Sequence, residues 1–238
     1  MTKKTLSTKT NNPSINAFLE KIATTKSIKP AAKRGRLLFA MDATASREST
    51  WDSACQLQSE MFTASDALGG LDVQLCYFRG YNEFDHTSWL ADTETLRKNM
   101  TAVSCLGGHT QIERVLKHAI AETKRSRINA IVFVGDNCEE NVEDICNTSG
   151  QLGVLGVPIF VFQEGSHPHA SQVFHHMATL SQGAYCHFDS GSAQQLRDLM
   201  SAVAVYAAGG RKALESYSQK QGGNVLQLSR QLTKEYID

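Results

Sequence analysis

The chain has 238 residues, 41% hydrophobic and 8% aromatic, so it can bury a full core in one large domain with tails. No apolar run approaches the roughly 18 residues of a membrane span, and the N-terminus lacks an apolar signal-peptide core, which argues against membrane and secreted classes. Six cysteines (Cys55, Cys76, Cys105, Cys138, Cys146, Cys186) are scattered without a C-x-x-C pair, the pattern of free thiols in a reducing compartment; a cytoplasmic protein without structural zinc is expected.

The formal net charge of zero hides an asymmetry. Residues 1–36 carry nine Lys or Arg against Glu20 alone, a charge of +8; subtracting these from 24 basic and 24 acidic residues leaves 15 against 23, so the body stands at −8. Such an arm can contact nucleic acid, a membrane surface or an acidic partner, or simply keep the protein solvated, and the solvated arm is the expectation. Its first 12 residues are Lys/Thr/Ser/Asn-rich and read as disordered. Ile15, Phe18, Leu19 and Ile22 then sit at helical spacing, and Lys29 to Arg36 reads as a linker.

From Leu37 onward, short apolar runs alternate with amphipathic stretches. The spacing predicts strands at Leu37–Met41, Val73–Phe78, Ala130–Val134, Pro158–Phe162 and Ala184–Phe188, with Glu83–Leu90 as a polar edge strand. One helical face is traced by Trp51, Ala54, Cys55, Gln58, Met61 and Phe62, and a second by Ile112, Val115, Leu116, Ala119 and Ile120. A third runs through Leu196, Leu199, Met200, Val203 and Ala207, opened by a capping box of Ser192 and Gln195. A further helix is expected around Val173–Leu180. Beyond Tyr206 the pattern fades, and Leu226 to Tyr236 reads as a peripheral helix. Strand–helix alternation of this kind predicts an α/β fold: a doubly wound, mostly parallel sheet with helices on both faces and one antiparallel edge strand.

The informative chemistry lies at the predicted strand ends. Asp42, Thr44 and Ser46 follow the first strand at alternate positions, Gly107-Gly108-His109-Thr110 precedes a helix, and Asp136 follows Val134-Gly135. In an open parallel sheet the carboxyl edge is where ligands bind. Two carboxylates brought together there repel each other, and a divalent cation removes that cost. Carboxylates with hydroxyls form a hard donor set that suits Mg2+, or Mn2+, rather than a soft metal. Each residue also has a plainer explanation: Thr110 with Glu113 spells a helix-capping box, Asp136 can cap the next helix, and Ser46 can be turn chemistry.

The series D-x-T-x-S at Asp42, Thr44 and Ser46, then G-G-x-T-x-I at Gly107–Ile112, then an apolar strand ending in Asp136, resembles the von Willebrand factor A domain with its metal-ion-dependent adhesion site. The resemblance covers roughly residues 36–207, and divides the chain into a basic arm at 1–35, the domain at 36–207 and a polar extension at 208–238. It implies that Asp42, Thr44, Ser46, Thr110 and Asp136 hold the metal, with Thr44 standing where that family usually has Ser. It also implies a protein partner whose acidic side chain completes the coordination, and a role as an accessory subunit of a larger assembly such as an ATPase or chaperone-like system. Rim residues, namely Arg47, Glu48, His109, Asn137 and Glu139, would then supply partner selectivity.

Enzymatic readings find less support. There is no phosphate-binding loop, no dinucleotide fingerprint and no G-x-S-x-G elbow. A phosphohydrolase using Asp42 as nucleophile needs an acid/base carboxylate two residues later, where Thr44 stands. His167, His169, His175 and His176 lack the helical spacing of zinc ligands. Nucleic-acid binding through the arm would lack interleaved aromatic residues apart from Phe18. With the role that the resemblance implies, the expectation is a non-enzymatic, metal-dependent protein-binding domain.

Overall fold

Gly35 opens a strand whose eight residues are almost all buried, because it lies at the centre of a sheet covered on both faces. The computed structural model describes Lys21 and residues 34–48, 70–188 and 193–221. The strands are β1 (Gly35–Asp42), β2 (Leu71–Arg79), β3 (Glu83–His86), β4 (Ala130–Gly135), β5 (Ile159–Glu164) and β6 (Ala184–Phe188). They form one sheet in the order β3-β2-β1-β4-β5-β6, parallel throughout except for the antiparallel edge pair β2–β3. The helices are α1 (Thr93–Thr101), α2 (Ile112–Arg125), α3 (Val142–Val154), α4 (Pro168–Leu180) and α5 (Ala193–Gln221).

Side-chain alternation along β1 separates two cores. Leu37, Phe39 and Met41 join a cluster with Leu96 and Met100 of α1 and Val203 and Tyr206 of α5. Leu38 and Ala40 join the opposite cluster with Val115 of α2, Ile145 of α3 and Phe174 of α4. The expected doubly wound α/β architecture is therefore present. All five apolar positions foreseen on α2 are buried.

Some elements differ from the sequence reading. The helix α1 was not foreseen: it has only Leu96 and Met100 to bury, and its start is fixed locally by the Asp92 side chain accepting from Thr95 N at 2.8 Å. The edge strand is shorter than Glu83–Leu90; it ends at His86, and Leu90 touches β2 only through a single bridge to Val73. The last helix does not fade at Tyr206 but runs to Gln221, broken at Gly210, whose φ of 74° and ψ of −170° are not helical. The expected features on Ile15–Ile22, Trp51–Phe62, Ser192 and Leu226–Tyr236 lie outside the described residues.

The sheet order reverses between β1 and β4: the chain leaves β1 toward β2 and β3 and returns to pair β4 with the other side of β1. This is a topological switch point, where the loops diverge and leave a crevice. The helix α5 reaches the opposite end of β1 closely: a Cβ on Gly35 would sit 2.3 Å from the Ala207 carbonyl oxygen and 2.6 Å from Ala208 Cα. Both obstacles are backbone, so neither can turn aside. Gly35→Ala is expected to lower stability by about 1–3 kcal/mol, the usual cost of overpacking, seen as a fall of several degrees in the thermal midpoint by circular dichroism. An unchanged midpoint would mean that α5 does not rest on β1.

Candidate metal centre

Asp42 ends β1 and Asp136 follows the last residue of β4, on the strand directly beside it; Met41 pairs with Val134, so the two carboxylates leave the sheet at nearly the same level. Asp42 is fully buried. One of its oxygens, Oδ1, accepts from Thr44 N at 2.7 Å, which folds the loop back over the strand end. Its other oxygen, Oδ2, is buried with no hydrogen-bond partner among the described residues, and so is Oδ1 of Asp136. Orphaned carboxylate oxygens in a buried site carry an uncompensated desolvation cost. Burial is also the main reason that the Asp42 pKa is pushed up to about 6; the nearby charge of Asp136 adds to the shift, while hydrogen bonds from Thr44 and the charge of Arg47 oppose it.

Beyond Asp42 the chain makes a single 3-10 turn, Ala45–Arg47, closed by Arg47 N donating to Thr44 O at 3.0 Å. The turn sets the Thr44 and Ser46 hydroxyls 3.1 Å apart, Thr44 buried and Ser46 exposed. The third hydroxyl arrives from another loop. Thr110 Oγ1 accepts from Glu139 N at 3.0 Å, stitching the loop before α2 to the loop after β4. That loop is anchored in turn by Leu106 N donating to Ala43 O and His109 N to Gly80 O. A Cβ on Gly108 would fall 1.8 Å from the Gly80 carbonyl oxygen, so only glycine permits this crossing. Asp42, Thr44, Ser46, Thr110 and Asp136 thus all line one cleft of about 530 Å³ at the carboxyl edge, as the sequence reading required.

Two of the plainer explanations, helix capping by Thr110 and by Asp136, are set aside by the contacts, while Ser46 does sit in the 3-10 turn. Thr110 and Glu113 do not form a capping box: the start of α2 is capped by Glu140, whose carboxylate accepts from Ile112 N and, at 3.0 Å, from Glu113 N. Burial nonetheless holds the Glu140 pKa above the usual carboxylate range. Asp136 caps nothing; α3 is capped by Asn141, which accepts from Glu143 N at 2.8 Å. Asp136 is thereby left available to the cleft, and the Thr110 hydroxyl lines it while bonded to Glu139 N.

Two residues acquire a different place from the one expected. Arg47 is not on the rim: it is 1% exposed and forms an ion pair with Glu164, the last residue of β5. Glu164 itself was not singled out, although the rule that strand ends carry the site applied to it equally; it lines the cleft together with Gly165, Ser166 and His167. Of the other rim candidates, Glu48, His109 and Glu139 are exposed and Asn137 is half-buried. His109 Nδ1 and Glu139 Oε2 lie 3.0 Å apart, and Tyr81 meets the His109 ring edge-on.

The donor set fits a hard divalent cation: two carboxylates with orphaned oxygens and three hydroxyls. No group of three or more His, Cys, Asp or Glu able to hold a metal occurs among the described residues, so any site here draws on the hydroxyls as well.

No protein-family model and no curated protein matches the sequence. Solved structures do match in shape. The SpRpn10 VWA domain superposes with a TM-score of 0.58 at 12% identity, covering 70% of this chain and 94% of that one. A von Willebrand factor type A protein from Catenulispora acidiphila gives 0.57 at 17% identity, covering 73% and 43%. Proximal thread matrix protein 1 from the mussel byssus, with a zinc-occupied MIDAS motif, gives 0.55 at 15% identity, covering 74% and 47%. The chain therefore spans nearly all of the first and less than half of the other two. At such identities the likeness establishes the fold, which is that of the von Willebrand factor A domain.

The raised Asp42 pKa has a direct consequence for metal-free protein. Folded Asp42 holds its proton up to about pH 6, whereas unfolded Asp42 loses it near 3.8. The stabilisation from that proton is complete below 3.8 and is lost as pH rises through 6. In EDTA, wild type should lose up to about 3 kcal/mol relative to Asp42→Asn between pH 4 and pH 7, measured by denaturant titration. A difference between the two proteins that does not change with pH would show that Asp42 is not desolvated.

Proposed function

We propose that this von Willebrand factor A fold serves as a divalent-cation-dependent protein-binding module, with Asp42, Thr44, Ser46, Thr110 and Asp136 as the protein side of a Mg2+ site that also accepts Mn2+. The observation that carries the reading is the pair of buried, unpartnered carboxylate oxygens on Asp42 and Asp136 in one cleft with three hydroxyls. Bound there, the cation would neutralise two like charges and offer an outward coordination position to an acidic side chain of a partner. The protein's own contribution is to preset the donors: the 3-10 turn holds Thr44 and Ser46, and the Glu139–Thr110 bond holds the third hydroxyl. The exposed Glu48, His109 and Glu139 at the mouth would select among partners.

A role as an accessory or adaptor subunit of a larger assembly, an ATPase or chaperone-like system among them, is part of the same proposal. So is a cytoplasmic location, which the free cysteines Cys76, Cys105, Cys138, Cys146 and Cys186 support. No helix among the described residues is long and apolar enough to cross a membrane. The proposal does not include catalysis: the position two residues after Asp42 carries a hydroxyl hydrogen-bonded to Ser46, which cannot cycle a proton near neutral pH.

A ligand bound only by the folded state stabilises it, by about 2.7 kcal/mol at a hundredfold excess over its Kd. Saturating Mg2+ should therefore raise the thermal midpoint by several degrees, and both Asp42→Ala and Asp136→Ala should abolish the rise. In pull-downs from cell extract, a partner should be captured in Mg2+, released by EDTA and lost with Thr110→Ala. Equal capture by wild type in EDTA and by Asp42→Ala in Mg2+ would place partner binding on another surface.

A further inference from the structure

Arg47 belongs to the turn that carries Thr44 and Ser46, yet its guanidinium is buried and paired with Glu164, which lines the cleft. Burial lowers the Arg47 pKa from its ordinary value, and the charges of Asp136 and Asp42 oppose that shift. A guanidinium remains protonated under all ordinary conditions, so a permanent positive charge is buried next to cleft-lining Glu164. The carboxylates of Asp42 and Asp136 act on it by their charge and that of Glu164 pairs with it, so these carboxylates outnumber the guanidinium and a divalent cation would offset the excess.

We infer that Arg47 is the resident counter-cation of this site, and that the Arg47–Glu164 pair sets how tightly the divalent ion is held. The inference rests on the metal-binding reading above. In the metal-free protein, Arg47 offsets part of the repulsion between Asp42 and Asp136. With a cation present, the same charge repels it and weakens its hold. Glu164 acts in the opposite sense, because it draws off part of the Arg47 charge. The pair makes the site exchangeable rather than a permanently filled structural centre.

A purely structural ion pair makes a different demand. Removing either partner would leave buried Arg47 or half-buried Glu164 uncompensated, so both single variants would loosen the cleft and weaken any cation binding. The counter-cation role instead requires opposite signs. Arg47→Met keeps much of the apolar stem and removes the charge, and should tighten Mn2+ binding on the order of tenfold or more. Glu164→Gln should weaken it by a similar factor. The double variant removes the pair without changing net charge, and should bind within a few-fold of wild type.

The measurement is the free Mn2+ signal by electron paramagnetic resonance, titrated into the full chain at low ionic strength for all four proteins, with circular dichroism melts in EDTA to establish folding. If Arg47→Met does not fold, the Glu164→Gln and double variants still carry the test: weakening in the first and recovery in the second support the inference, and no recovery overturns it. Weaker binding in both single variants overturns it as well, and so does wild-type binding that neither changes, which would leave the metal reading intact. Binding by Arg47→Met but not by wild type would support the counter-cation role while removing the metal dependence proposed for the native protein. No binding by any of the four overturns both.

Discussion

Everything in this site follows from placing two carboxylates on adjacent parallel strands at one level. β1 and β4 are neighbours only because the chain reverses its direction of travel across the sheet between them. Parallel pairing then carries Asp42 and Asp136 out of the same edge. Bringing like charges together in a buried place is costly unless something compensates. The surrounding loops are organised around that cost. The Asp42 carboxylate takes one hydrogen bond from its own loop and keeps one oxygen unpartnered. A guanidinium is buried alongside, and three hydroxyls complete the lining.

The loops hold this arrangement through bonds that cross between elements rather than within them. Glu139 and Glu140 reach from the end of β4 to Thr110 and the start of α2. Gly80 and Gly108 bring the β2–β3 turn against the loop before α2 at a distance that excludes a side chain. Each loop is therefore positioned by its neighbours, and the donor geometry is set before any ligand arrives. Next to this cleft, His109, Glu139 and Tyr81 are exposed, and His109 contacts the other two. The likeness to solved von Willebrand factor A structures, at 12–17% identity, is one of fold.

Much of this was legible in the residues in order. The apolar runs located five strands of the sheet, and the i, i+3, i+4 spacing located α2, because burial on one face imposes those periods directly. The five cleft residues were legible for the same reason: each follows a strand or precedes a helix, and the rule that ligands meet the carboxyl edge needs only the order of elements. The short α1 escaped because two apolar residues in nine leave almost no periodic signal.

What tertiary structure alone decided concerns contacts between residues distant in sequence. Nothing near Glu140 marks it as the cap of α2, since the N–H groups that it serves are 27 and 28 positions away. Nothing near Arg47 marks it as buried, because a charged residue in a polar turn ordinarily faces water; its partner, Glu164, comes from the far side of the sheet order. The sequence by itself determined which groups stand at the edge of the sheet, because alternation and element order are local properties. Which of those groups are compensated, and by what, depends on the packing of loops against each other, and only the folded chain decides that.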